Sequence, residues 1–374
     1  MSFAAGPLGE SDALHARVRA YARGASADDF ESLALAIARF QARHAPGFSR
    51  LVGQAPLDRV EQIPSVPADA FRLTRVAVHA PEHDAARFVT SGTTGSERGT
   101  HAFRTTDTYA ELSLAFGRRA LTSHGRRPTV VALADRPGER PSSSLGFMID
   151  HFARSLDGRA LDGGPFQPSA PDRYLLRASG IDLASLRRAA SIAHERGEPL
   201  LVLATAFALV ALIDALGGAR LPLPEGSAVM QTGGYKGRSR ELDPVVLRSS
   251  VAESFEIPGN SVVAEYGMTE LSSQLYEGTL EGAELRAPPW TLLEPPWLRV
   301  VPLDPETLAP VAHGNVGLAR FIDLANIDSA VAILTRDLVR RNELGIELLG
   351  RAPGALPRGC SLAVEALLES GRER

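Results

Sequence analysis

Between residues 129 and 265 the chain alternates short apolar runs with stretches of helical spacing, and this limits the fold more than any other feature. Residues 129–134, 200–204, 228–231 and 261–265 read as buried strands. Residues 182–196, closed by Gly197, and 239–254 read as helices among them. Apolar runs without polar alternation belong to strands covered on both faces, and strands separated by helices pair in parallel. An α/β domain containing a parallel sheet is therefore expected.

The flanks differ. Residues 11–45 carry Leu, Val, Tyr, Phe and Ala at helical spacing. Residues 52–86 are proline-rich and read as irregular, and 109–123 as a helix whose Thr108 and Glu111 have capping-box spacing. From about residue 297 short strand-like pieces appear at 298–301, 317–322, 332–334 and 346–349, separated by turn signals at Asp304-Pro305, Gly314 and Gly345. The expected organisation is an N-terminal helical segment (1–85), an α/β core (86–296), a small β subdomain (297–350) and a short C-terminal tail (351–374). The Pro-rich stretch 288–296 is the clearest candidate for a linker or loop.

Composition narrows the function. A 44% hydrophobic, 22% charged chain of 374 residues is an ordinary globular protein, and its net charge of −4 gives no reason to expect nucleic acid. No apolar run is long enough to span a bilayer, and the first residues lack the pattern of a signal peptide, so a cytoplasmic location is expected. The single cysteine, Cys360, excludes an internal disulfide and a cysteine-based zinc site.

Two segments carry chemistry. Thr90-Ser91-Gly92-Thr93-Thr94-Gly95-Ser96-Glu97-Arg98-Gly99-Thr100 follows an apolar run and combines three glycines, six hydroxyls and an arginine. Such a loop can bring backbone N–H groups close to a polyphosphate, with Arg98 adding fixed charge. It does not fit the common P-loop pattern. The second segment, Glu265-Tyr266-Gly267-Met268-Thr269-Glu270, lies just after an expected strand, where α/β proteins bind ligands. Thr269 can donate to a phosphate or carboxylate oxygen and Glu270 can hold magnesium. Taken alone, the Thr-Glu pair reads equally well as a helix cap.

In this order and at this separation, the two segments resemble those of the acyl-adenylate-forming superfamily. Leu334-Thr335-Arg336-Asp337-Leu338 resembles its segment whose aspartate holds the ribose hydroxyls, and Gly350-Arg351 resembles its hinge. Arg98 stands where lysine is usual and Arg336 where glycine is usual. Within the superfamily the chain is similar to the acyl-protein synthetase (LuxE) family. The similar segments are residues 143–150, Gly233-Gly234-Tyr235-Lys236-Gly237, Phe321-Ile322-Asp323-Leu324-Ala325-Asn326 and Arg358-Gly359-Cys360-Ser361-Leu362.

The resemblance implies an adenylate-forming fold and a magnesium- and ATP-dependent ligase that activates a carboxylic, fatty acid. The acyl group would be carried on Cys360 and passed to a reductase partner. It implies ATP contacts at Thr90, Ser91, Gly92, Thr93, Thr94, Gly95, Arg98, Gly233, Gly234, Tyr266, Gly267, Asp337 and Arg351, with Thr269 and Glu270 handling phosphate and magnesium. Some two dozen residues follow Arg351, so a truncated C-terminal tail is expected, with Lys236 substituting for the superfamily's C-terminal-domain lysine. Arg358 and the helix-like run after Cys360 would lower its thiol pKa. A phenylacetate–CoA-ligase-like activator, or a non-catalytic subunit that kept the fold, are the alternatives.

Overall fold

Strand Leu200–Thr205 is Leu-Leu-Val-Leu-Ala-Thr, apolar on both faces until its last residue, and all but that residue are buried. The computed structural model that places it describes residues 6–90, 98–136, 138–139, 141–158, 173–233, 242–353, 363 and 366–368. Two compact units emerge, the first from residues 1–113, 268–273 and 294–374, the second from 114–267 and 274–293. This division is not the linear one expected from sequence. Its 293/294 boundary falls within the Pro-rich stretch, whereas residues 268–273 leave the second unit's chain to join the first.

In the second unit, Leu200–Thr205 pairs in parallel with Thr129–Leu133 on one side and Ala228–Thr232 on the other. Ala228–Thr232 in turn runs parallel to Val262–Tyr266, with Thr232 opposite Glu265. The antiparallel strands Leu275–Glu277 and Leu292–Leu293 follow. Helices Leu183–Arg196, Ala206–Leu216 and Pro244–Phe255 supply the apolar partners, packing Leu186, Leu209, Leu247, Val251 and Phe255 against Val131, Val202, Val229 and Val262. Each such side chain contributes about 1.5–3 kcal/mol by leaving water.

The helix ends follow from single residues. The Asp182 carboxylate accepts from the Ser185 N–H at 3.0 Å, and Gly197 closes that helix in the left-handed region at φ 62°. Asp243 caps Pro244–Phe255, accepting from the Val245 N–H at 2.8 Å. The expected parallel core is thus present.

In the first unit, Leu298–Leu303, Val316–Asp323, Ala332–Arg341 and Ile346–Arg351 form an antiparallel meander, and Val66–Pro67 adds a parallel edge to Ile333 and Leu334. Helices Pro7–Ala22 and Phe30–His44 account for the N-terminal helical pattern, the second opened by a capping box between Asp29 and Ser32. Gln41, fully buried, donates to the carbonyls of Asn326 and Ile327 at 2.8 and 2.9 Å and accepts from Val331 N–H at 3.0 Å. That one amide ties helix Phe30–His44 to the turn after Val316–Asp323.

One local expectation is corrected. Helix Asp107–Leu121 starts a residue before Thr108, and the Thr108 hydroxyl meets His15 Nδ1 at 2.8 Å instead of capping. A buried imidazole with its own carboxylate partner outcompetes the local cap. Among the described residues, no helix is long and apolar enough to cross a membrane.

Candidate active site

Strands Ala86–Val89 and Thr100–Phe103 form an antiparallel hairpin whose connection is the hydroxyl-rich loop. Phe88 and Phe103 meet edge-on at 5.1 Å, and Tyr109 packs tilted against both. The neck is closed by Thr90 N–H donating to Gly99 C=O and Gly99 N–H donating to the Thr90 hydroxyl, each at 2.9 Å. A Cβ on Gly99 would stand 3.1 Å from Thr90 Cγ2 and 3.3 Å from the backbone of Phe71 and Arg72, so a side chain here would have to push its neighbours by a few tenths of an ångström. Arg98 is exposed beside it. Ser91, Gly92, Thr93, Thr94 and Gly95 lie outside the described residues, as do Gly234, Lys236 and Cys360.

Thr269 and Glu270 sit in a turn, closed by Leu271 N–H donating to Met268 C=O at 3.1 Å, and a strand follows it instead of a helix. The helix-cap reading of this pair is therefore excluded. What holds the turn is the buried segment 321–326. Asp323 accepts from the Ser272 N–H at 2.9 Å and from the Ser273 hydroxyl at 2.6 Å. Asn326 donates to the Glu270 carbonyl at 2.9 Å and accepts from the Ser272 hydroxyl at 2.6 Å. Burial pushes the Asp323 carboxyl up to about 6, although Ser273 and the backbone amides of Ala325, Ser272 and Ser273 pull against it. His101, on the strand leaving the loop, takes the Thr269 carbonyl at Nδ1 and the Ser329 hydroxyl at Nε2, both at 2.8 Å.

Glu270 itself is an unusual acid. Burial raises its pKa to about 7, with Asp69 and Asp337 adding to the rise and its own backbone hydrogen bond and Arg351 opposing it. Asp337 lies on Ala332–Arg341, opposite Arg351 across the ladder, and Arg351 Nε stands 3.4 Å from its carboxylate. The register shifts between Asp337 and Val339. Arg336 keeps extended strand pairing: its carbonyl accepts from the Ala352 N–H at 2.8 Å, and its guanidinium donates to the Ala352 carbonyl at 2.8 Å. The ladder irregularity thus begins at Asp337, the residue after Arg336. Glu270, Asp337 and Arg351 are electrostatic neighbours within the first unit.

In the second unit Gly233, Tyr266 and Gly267 stand at the C-terminal ends of adjacent parallel strands, with Gly233 in the left-handed region at φ 64°. Between those ends lies a residue to which the sequence assigned no role. Glu265 is 7% exposed and accepts a hydrogen bond from the Thr232 hydroxyl. Burial pushes it up to about 7, which the Thr232 bond only partly offsets. A Cβ on Gly267 would lie 2.6 Å from Glu265 Oε1, so this glycine makes room for the carboxyl. Asn326 and His101 were likewise unassigned; the one sequence signal was the family-like segment containing Asn326.

These features define a fold class. The chain matches the open conformation of 2-hydroxyisobutyryl-CoA ligase, solved with 2-HIB-AMP and CoA, at a TM-score of 0.55 and 14% identity, over 93% of this chain and 76% of that one. At such identity the likeness shows the fold alone, a mixed α/β fold shared with 2-hydroxyisobutyryl-CoA ligase. The curated relatives are two proteins named long-chain-fatty-acid–luciferin-component ligase. The one from Aliivibrio fischeri is 24% identical over 168 residues (42% of this chain, 40% of the relative). The one from Vibrio harveyi is 24% identical over 145 residues (36% of each). The chain spans about two fifths of the length of the curated relatives it matches. No protein-family profile matches it.

Proposed function

We propose that this chain is an ATP-dependent ligase that activates a carboxylic acid as an acyl-adenylate and passes the acyl group to a thiol. The observation that carries the reading is Glu270, a carboxyl raised to about 7 by burial and by Asp69 and Asp337, on a turn whose carbonyls are held by side chains. Such a group favours an arriving cation. Among the described residues no cluster of three or more His, Cys, Asp or Glu side chains stands ready for a metal. One carboxylate completed by substrate phosphates is, however, an ordinary magnesium environment, so the donor set fits an ion delivered with ATP. When bound, it supplies neutralisation of phosphate charge.

The roles follow. Glu270 holds the ion, and the Thr269 hydroxyl donates to a phosphate oxygen. Asp337 accepts from the ribose hydroxyls, with Arg351 beside it. Residues 90–99, with Thr90 and Arg98, cradle the phosphates, and Gly233, Gly234, Tyr266 and Gly267 receive the nucleoside. Lys236 provides the cation near the incoming carboxylate. A carboxylate oxygen attacks the α-phosphorus, the bond to the bridging oxygen breaks, and pyrophosphate leaves. The Cys360 thiolate then attacks the acyl carbonyl carbon, and AMP leaves with the electron pair. The names of the curated relatives support a long-chain acid, and the resemblance of residues 358–362 to the acyl-protein synthetase family supports thioester carriage on Cys360 toward a reductase.

The test incubates the chain with magnesium, ATP and a panel of radiolabelled carboxylic acids, measuring pyrophosphate exchange and protein-bound label. Exchange with long-chain acids and a hydroxylamine-labile label lost in Cys360→Ala are expected. Label appearing on coenzyme A instead would replace the protein thiol as acceptor. No exchange with any acid would leave a non-catalytic subunit.

A further inference from the structure

We propose that His101 is a positioning residue that fixes the Thr269-Glu270 turn through the Thr269 carbonyl and links it to the hydroxyl-rich loop. The functional consequence rests on the ligase reading above; the positioning itself does not.

The geometry assigns the ring one tautomer. The Thr269 carbonyl can only accept, so Nδ1 carries the proton and donates at 2.8 Å. Nε2 then has a lone pair facing the Ser329 hydroxyl, which donates to it at 2.8 Å. With both nitrogens engaged, the ring has no alternative orientation that keeps its bonds. Phe71 meets it edge-on at 5.2 Å and Phe103 lies tilted at 4.3 Å, so apolar walls fix its plane. The residue is 2% exposed. Burial also holds the imidazole down at about 4, so it stays neutral and keeps one donor and one acceptor.

The placement gives the contact its meaning. His101 is the second residue of Thr100–Phe103, and Gly99, just before that strand, closes the loop neck with Thr90. A single side chain therefore ties the strand that ends the loop to the turn bearing Thr269 and Glu270. Asn326 holds the next carbonyl along, that of Glu270. Consecutive carbonyls gripped by different side chains leave the turn little freedom, as preorganised electrostatic groups require. If the ring served only to fill space, phenylalanine would serve equally.

The experiment uses the full chain and four variants. His101→Asn keeps a donor N–H at the δ position, toward Thr269. His101→Gln moves the amide out to the ε position and loses that bond, and His101→Phe keeps only the ring. Ser329→Ala removes the hydroxyl that orients Nε2 and leaves the imidazole in place. Two quantities are read, amide hydrogen exchange at Leu271 and Ser272, and pyrophosphate exchange resolved into kcat and KM. We expect His101→Asn to stay within about threefold of wild type in both. His101→Gln and His101→Phe should speed amide exchange at least about tenfold and lower kcat by a similar factor, with the KM for the acid unchanged. Ser329→Ala should fall between, at a few-fold.

Equal behaviour of the Asn and Gln variants would overturn the proposal, as would a folded Gln variant beside an unfolded Asn one. If all three ring replacements unfold, Ser329→Ala decides, and unchanged amide exchange there is a refutation. A wild type with no pyrophosphate exchange would remove the ligase reading alone, because amide exchange still reports whether His101 holds the turn.

Discussion

The side-chain amide of Asn326 donates to the main-chain carbonyls of Glu270 at 2.9 Å and Ala330 at 3.1 Å, while its oxygen accepts from the Ser272 hydroxyl. One buried side chain thus holds both the turn that presents Glu270 and the segment it comes from. Its neighbour Asp323 grips Ser272 and Ser273 in the same way. The position of the candidate acid is consequently set by residues some fifty positions further along the chain.

Asn326→Ala would leave the buried Ser272 hydroxyl and Ala330 carbonyl and the part-buried Glu270 carbonyl without this partner, each a costly loss. We expect a stability loss of about 2–3 kcal/mol in urea unfolding at unchanged m, together with reduced pyrophosphate exchange. A variant within about 0.5 kcal/mol of wild type would mean that the clamp is not structural.

Asp337→Asn separates nucleotide binding from folding. Its ion pair with Arg351 is weak, because the arginine side chain is 71% exposed, and such pairs are worth about 0–1 kcal/mol. A charge-assisted bond to a ribose hydroxyl is worth about 1.5–3 kcal/mol, so the apparent KM for ATP should rise roughly ten- to a hundredfold while the melting temperature hardly moves. An unchanged KM would show that the ladder irregularity at Asp337 has displaced it from the ribose.

Glu265 makes stability depend on pH in the direction opposite to a salt-bridged acid. Its folded pKa of about 7 lies above the ordinary 4.5, so between these values the folded state holds more protons than the unfolded one. Stability is therefore lost as pH rises through that window, by up to about 3 kcal/mol from this group. Glu265→Gln keeps an acceptor for Thr232 and removes the titration. The stability of the variant relative to wild type should grow between pH 4.5 and pH 8, read by urea unfolding at both. A constant difference would mean that the buried acid does not titrate there.

What the sequence disclosed and what it withheld divide along a physical line. Strand Leu200–Thr205 and helix Leu183–Arg196 were legible because their signals are local: an unbroken apolar run, an Asp182 cap, a Gly197 stop. The Thr90–Gly99 loop and the Thr269-Glu270 pair stand out in the sequence as candidates because hydroxyls, glycines and a carboxylate cluster there. His101, Asp323 and Asn326 were not legible as a support, since each acts on a partner far along the chain. The same reason explains Thr108, whose capping-box spacing was overruled by His15, and the assignment of residues 268–273 to the first unit. Glu265 went unassigned because burial, which makes its carboxyl unusual, is a property of three neighbouring strands and not of the segment itself.

Glu270→Gln tests the candidate site most directly. The amide matches the carboxyl in shape but brings no negative charge for a nucleotide-borne cation. Pyrophosphate exchange should fall by about two to three orders of magnitude, the range seen when one preorganised electrostatic group is removed. Stability should move the other way. Burial holds the wild-type acid at about 7, so above that pH the folded protein carries an unfavourable buried charge, which glutamine lacks. At pH 8 the variant should therefore melt at or above the wild-type temperature while being nearly inactive. That combination separates loss of a ligand from loss of a fold. A purely structural Glu270 would give the reverse, near-normal exchange in a less stable protein, and that result would remove it from the site. The comparison needs saturating magnesium, because activity recovered by raising magnesium alone would place Glu270 in ion affinity and not in the rate of phosphoryl chemistry.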